Sequence, residues 1–172
     1  QVINMSFGGS GYSQAFNDIC KSSYNAGIVL CAAAGNGGEG RDTCIYPARY
    51  NSCIGVVATA SDDRRGYRTE TGVIFSSEGP AVEVSAPGQD VLSTVPTNTC
   101  TCGTASGRLC DSSGYKRLRG TSMATPHASG VAALILKAHP NWTNKQVRGA
   151  MTQGVVHLGD AGRNHQFGFG RI

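Results

Sequence analysis

Gly120-Thr121-Ser122-Met123-Ala124-Thr125-Pro126-His127 is the segment whose residue types and spacing could do chemistry. It runs directly into Ala128-Ser129-Gly130-Val131-Ala132-Ala133-Leu134-Ile135, a small, apolar stretch that reads as a central buried helix. Ser122 then falls in the first turn of that helix. There the free backbone N–H groups and the positive dipole end favour a developing negative charge. A serine hydroxyl is a poor nucleophile until a base removes its proton, and the tetrahedral oxyanion that follows needs preorganised donors. An isolated Gly-Thr-Ser would be read as a helix cap instead. The eight-residue context favours the nucleophile. Asn36 is the second candidate: it ends the apolar run Ala32-Ala33-Ala34-Gly35 and precedes Gly37-Gly38, where a plain Gly-Asn turn is the alternative.

No base accompanies Ser122. His127 lies five residues on, about 140° around the same helix and roughly 7.5 Å along it, and cannot face the hydroxyl. His139 closes the far end of the helix, and His157 and His165 stand in the C-terminal segment without a partnering motif.

The elements that must position these groups alternate between strand and helix. Val2–Phe7 reads as a buried strand. A Gly8-Gly9-Ser10-Gly11 turn leads to a helix over 13–26, with Ala15, Phe16, Ile19 and Ala26 on one face and Gly27 as its stop. Ile28–Ala33 is continuously apolar, as a strand covered on both faces would be, and Cys53–Ala60 repeats the pattern. Val73–Phe75, Val82–Ser85 and Val91–Val95 are shorter strand candidates. A basic loop precedes two closing helices, over 122–138 and 144–153. This order predicts a parallel α/β sheet covered on both faces, with ligands beyond the carboxyl ends of its strands.

Composition narrows the function classes. The chain has 172 residues, enough for one domain with a real core. Only 15% are charged and 40% are hydrophobic, which excludes a disordered chain. A net charge of +4, without basic residues interleaved among stacking aromatics, argues against a nucleic-acid partner. The longest apolar run, Val131–Leu136, is far shorter than the roughly 18 residues of a membrane span. Seven cysteines point to an oxidising compartment and to disulfides. Cys100, Cys102 and Cys110 cluster, but three ligands make an incomplete structural zinc site. Asn141-Trp142-Thr143 is a glycosylation sequon, meaningful only in a eukaryotic secretory pathway. The chain opens inside a strand and closes without a polar tail, which reads as part of a longer domain.

The whole pattern resembles the subtilisin-like serine proteases. Besides the Ser122 segment, Val2-Ile3-Asn4-Met5-Ser6-Phe7-Gly8-Gly9, Ala32–Asn36, Tyr46-Pro47-Ala48, Phe75-Ser76-Ser77 with Gly79, Ala86-Pro87-Gly88 and His139–Thr143 follow in the family's order. The resemblance implies a three-layer α/β fold with a mainly parallel sheet, of which residues 1–172 are the C-terminal part of one catalytic domain. It makes Ser122 the acyl-forming nucleophile. Asn36 and the Ser122 backbone N–H become the donors to the oxyanion. Ser6-Phe7-Gly8 and Ala33-Ala34-Gly35 become the walls of the primary side-chain pocket, with Ile45 shortening its floor. The implied function is peptide-bond hydrolysis by a secreted enzyme that acts on peptides or proteins.

The family's aspartate and histidine motifs are absent, so the expected partner is an N-terminal segment of the same protease carrying both. A peptide-binding or regulatory module that does not cut is the alternative, and a cysteine-based redox or metal protein is a third class. Gly66–Ile74 and Thr97–Ser113 read as insertions. The chemistry requires no cofactor and no metal is assigned. The family's weak cation site would have carbonyls of Ala48, Tyr50 and Cys53 but only one carboxylate, Glu83, against the six to eight oxygens calcium prefers.

Overall fold

Strands that are apolar at every position need cover on both faces. The computed structural model, which describes residues 1–97 and 110–172, supplies it. β1 (Val2–Met5), β2 (Val29–Ala33), β3 (Ile54–Thr59) and β4 (Val82–Pro87) form one all-parallel sheet in the order β1-β2-β3-β4. β2 and β3 are buried throughout. α2 (Thr121–Ala138) and α3 (Asn144–Gln153) cover one face, and α1 (Gln14–Asn25) lies on the other.

Two cores result, one on each face. Alternate strand residues such as Cys31, Ile54, Val56 and Val84 pack on Ala124, Ala128 and Ala132 of α2 and on Val147 and Met151 of α3. The three alanines recur every fourth residue, so α2 lies close against the sheet along one stripe. Leu30, Ala32 and Val57 point the other way, toward Cys20 of α1. The helix starts are locally encoded. Ser13 accepts from the Phe16 N–H at 3.3 Å, and Thr143 with Gln146 forms a capping box.

The structure corrects several expectations. β1 ends at Met5 and is only partly buried: among the described residues it pairs with β2 alone, so Ile3 is 40% exposed while Met5 enters the core. The inward face of α1 is Phe16, Cys20 and Tyr24, at four-residue spacing. Ala15, Ile19 and Ala26 are exposed, because the cysteine and the aromatics make the better match to the aromatic turn beneath them. Val73–Phe75 forms no strand, only a bridge from Ile74 to Tyr67. The basic segment before Gly120 is not a loop: β6 (Tyr115–Leu118) pairs antiparallel with β5 (Val91–Thr94). α2 is buried on one side only, and Leu134 is 67% exposed on the other.

Candidate active site

α2 begins at a conformation only glycine tolerates well. Gly120 has φ 147° and offers no side-chain cap, so the first N–H groups of the helix must find other partners. The Thr121 N–H donates to Asn36 Oδ1 at 3.0 Å, and the Thr121 hydroxyl donates to the same oxygen at 3.2 Å. That hydroxyl also accepts from the buried Gly35 N–H at 3.1 Å. Two donors thus fix the carbonyl end of the Asn36 amide, and its NH₂ end remains as a donor beside the start of α2. Helix geometry leaves the Ser122 N–H without an intrahelical partner at the same place.

Ser122 is half-buried and joined reciprocally to the end of β1. Its hydroxyl donates to the Ser6 carbonyl at 3.0 Å, while the Ser6 hydroxyl donates to the Ser122 carbonyl at 2.7 Å. The second bond has a cause four residues along the helix. Pro126 has no N–H to give to the Ser122 carbonyl, so that acceptor is free for Ser6. On its open side Ser122 faces a cleft lined by Leu92, Ser93, Met123, Pro126 and His127. His127 turns away from the hydroxyl, its Nδ1 lying 2.8 Å from the Met123 carbonyl.

Ile45 sits between the two expected walls. A Cβ on Gly8 would lie 2.8 Å from Ile45 Cδ1, and one on Gly35 would lie 3.2 Å from Ile45 Cγ1. Backbone bonds hold all three segments in register: Ile45 N–H to Ala34 O at 2.9 Å, Tyr46 N–H to Gly9 O at 2.9 Å, and Gly9 N–H to Tyr46 O at 3.0 Å. Ala33 and Ala34 are buried, whereas Phe7 is 59% exposed and stacks on Phe16. Phe7 is thus a largely exposed ring set against α1.

The structure brings together Ser122, Asn36, Ser6, Gly8, Gly35 and Ile45, which are far apart in sequence. Sequence reasoning missed Thr121 and Pro126 as the residues that set Asn36 and Ser6. Both stand inside the Ser122 segment, but what they bond to is set by chain-distant partners.

The sequence matches the Subtilase family over residues 1–170. The chain belongs to the subtilase family. It is 41% identical over 162 residues to subtilisin amylosacchariticus from Bacillus subtilis subsp. amylosacchariticus, covering 93% of this chain and 37% of that protein. It is equally similar to subtilisin DY from Bacillus licheniformis, of which it covers 51%. The chain therefore spans about half the length, or less, of these curated relatives. The minor extracellular protease Epr of Bacillus subtilis (strain 168) is 36% identical over 171 residues, 99% of this chain and 23% of that protein. Among solved structures, the psychrophilic subtilisin-like protease Apa1 from the Antarctic psychrotroph Pseudoalteromonas sp. AS-11 superposes with a TM-score of 0.81 at 22% identity. That match covers 99% of this chain and 68% of the other and supports the subtilisin-like fold.

The subtilase weak cation site does not fit the donors present. Both Glu83 oxygens accept from Arg148: Nε reaches Oε1 at 2.6 Å, and one terminal nitrogen is in close contact with Oε2. The same guanidinium donates to the Asn51 carbonyl at 2.8 Å and the Cys53 carbonyl at 3.1 Å. The oxygens a cation would need already surround the guanidinium. Among the described residues no three His, Cys, Asp or Glu side chains group into a metal site. No described helix is long and apolar enough to cross a membrane.

Proposed function

We propose that the chain is the nucleophile-bearing part of a secreted serine endopeptidase that cleaves peptides or proteins. The observation that carries the reading is the double capture of Asn36 Oδ1 by Thr121, which leaves the Asn36 NH₂ as a preorganised donor next to Ser122. The extracellular character in the name of one relative supports secretion.

In the mechanism, an aspartate–histidine pair from another part of the protease supplies the base, as the family's catalysis requires. The Ser122 hydroxyl releases the Ser6 carbonyl, gives its proton to the imidazole, and its oxygen bonds to the scissile carbonyl carbon. The displaced electron pair settles on the carbonyl oxygen, where the Asn36 NH₂ and the Ser122 N–H receive it. Collapse expels the amine, which takes the proton from the imidazolium, and water later hydrolyses the ester on Ser122 by the reverse proton path. Ile45 limits the depth available to the side chain before the cleaved bond.

Labelling the complete protease with a fluorophosphonate and mapping the modified peptide tests the assignment. The label should be on Ser122, and the 172-residue segment alone should label slowly and cleave nothing efficiently. Replacing Asn36 by Leu should lower kcat with little change in KM, because the donor acts mainly on the transition state. In a subtilisin the loss of one such donor costs about 10²–10³-fold in kcat, and the same order is expected here. Labelling elsewhere, or a change confined to KM, would overturn the roles given to Ser122 and Asn36.

A further inference from the structure

The peptidase reading uses none of the cysteines. Among the described residues Cys110 is disulfide-bonded, and Cys20, Cys31, Cys44 and Cys53 carry free, buried thiols. Two of the four lie together: Cys20 on α1 and Cys53, the residue before β3, share one buried cluster, where each thiol perturbs the other. They are 3% and 2% exposed and belong to one apolar cluster.

Independent contacts hold the two segments together. Phe16, one turn before Cys20 on the same helix face, packs edge-on against Tyr50 with ring centroids 5.9 Å apart. Tyr50 is tied to Cys53 by the Cys53 N–H at 2.9 Å, and its hydroxyl donates to the Ser13 carbonyl at 2.9 Å just before α1. Phe16 on Tyr50 and Cys20 on Cys53 are thus successive rungs of one contact. Next to it a cleft runs between α1 and the turn, lined by Asn17, Lys21, Tyr24, Asn51 and Ser52 among others.

We propose that Cys20 and Cys53 are joined in a disulfide that staples α1 to the entry of β3. With a low-molecular-weight disulfide RSSR as oxidant, the Cys20 thiolate attacks one sulfur, forming Cys20–SR and expelling RS⁻. The Cys53 thiolate then attacks the Cys20 sulfur, forming the Cys20–Cys53 bond and expelling the second RS⁻. The two RS⁻ take up the two protons the cysteines lost; two protein thiols are oxidised and one RSSR is reduced to two RSH. Desolvation raises both thiols above the ordinary range, Cys53 to about 12, so thiolate is scarce once α1 has closed. The exchange accordingly belongs to folding, before the helix docks.

The inference does not rest on the peptidase reading; it needs only an oxidant. The test is to refold the complete protease in a glutathione redox buffer, quench with acid, alkylate under denaturing conditions and map the peptides without reduction. The expected result is a Cys20 peptide linked to a Cys53 peptide, separated by reductant. Cys20→Ser, Cys53→Ser and the double variant, refolded the same way, should lower Tm by equal amounts, since each removes the same bond. Recovery of both cysteines singly alkylated or bonded to other partners would overturn the proposal, as would additive losses in the variants. The map of the parent protein decides the matter even if a variant does not fold.

Discussion

Thr121 has two jobs that its neighbour Ser122 obscures. Its hydroxyl accepts from the buried Gly35 N–H and donates to Asn36 Oδ1, the amide proposed to serve the oxyanion. Thr121→Val keeps the shape and removes both bonds, leaving the buried Gly35 N–H without a partner. Stability should fall by about 1–3 kcal/mol, the usual cost of a buried unsatisfied group. The Thr121 N–H still holds Asn36 Oδ1, so kcat should fall less than in Asn36→Leu, and Thr121→Ser should restore both properties. Denaturant unfolding and steady-state kinetics on the complete protease check this; an unchanged midpoint would show that Gly35 has another acceptor. The motifs made the placement of Ser122, Asn36 and the neighbouring glycines legible because residue type and local order mark those segments. The tasks of Thr121 and Pro126 depend on Asn36 and Ser6, 85 and 116 residues from Thr121 and Ser122 respectively, and no local pattern encodes such partners.

Just after β1 the chain passes through Gly8, packed against Ile45 and Tyr46, where there is no room for a side chain. A Cβ there would come within 2.3 Å of the Tyr46 carbonyl oxygen, which is the acceptor of the Gly9 N–H in the bridge that holds the two segments together. Backbone cannot move aside as a side-chain end can. Gly8→Ala should therefore split this bridge, raising KM for extended peptides more than it lowers kcat and reducing Tm; kinetics indistinguishable from the parent would show that the segment bends without consequence. At this scale the sequence read well wherever periodicity was unambiguous. The continuous apolar runs of β2 and β3 predicted their burial, and α3 lies at the residues expected. It read poorly where a partner decides the outcome. Tyr115–Leu118 is a strand because β5 offers it an antiparallel edge, and α1 turns Cys20 inward because Tyr50 already occupies the neighbouring rung.

Across the molecule, the sheet and its C-terminal layer are locked by one cation that belongs to the chain. Arg148 on α3 reaches Glu83 on β4 and the Asn51 and Cys53 carbonyls of the turn into β3, joining three separate parts of the fold. The Glu83 side chain is only 9% exposed and that of Arg148 24%, so the pair is poorly screened by solvent. Removing one partner of such a pair costs far more than the pair is worth, because the other charge stays buried without compensation. Arg148→Met should thus destabilise the complete protease by about 3–5 kcal/mol. Glu83→Gln combined with Arg148→Met should lose clearly less than the sum of the single changes, since no buried charge is then left alone. The vacated oxygens would also be the beginnings of a cation site: added calcium should raise the unfolding midpoint of Arg148→Met more than that of the parent, and should lose that extra effect in the double variant. Chemical denaturation of the four proteins, with and without calcium, separates these outcomes. Strictly additive losses and no selective calcium effect would mean that Arg148 acts by packing alone and that the guanidinium does not stand in the place of a metal.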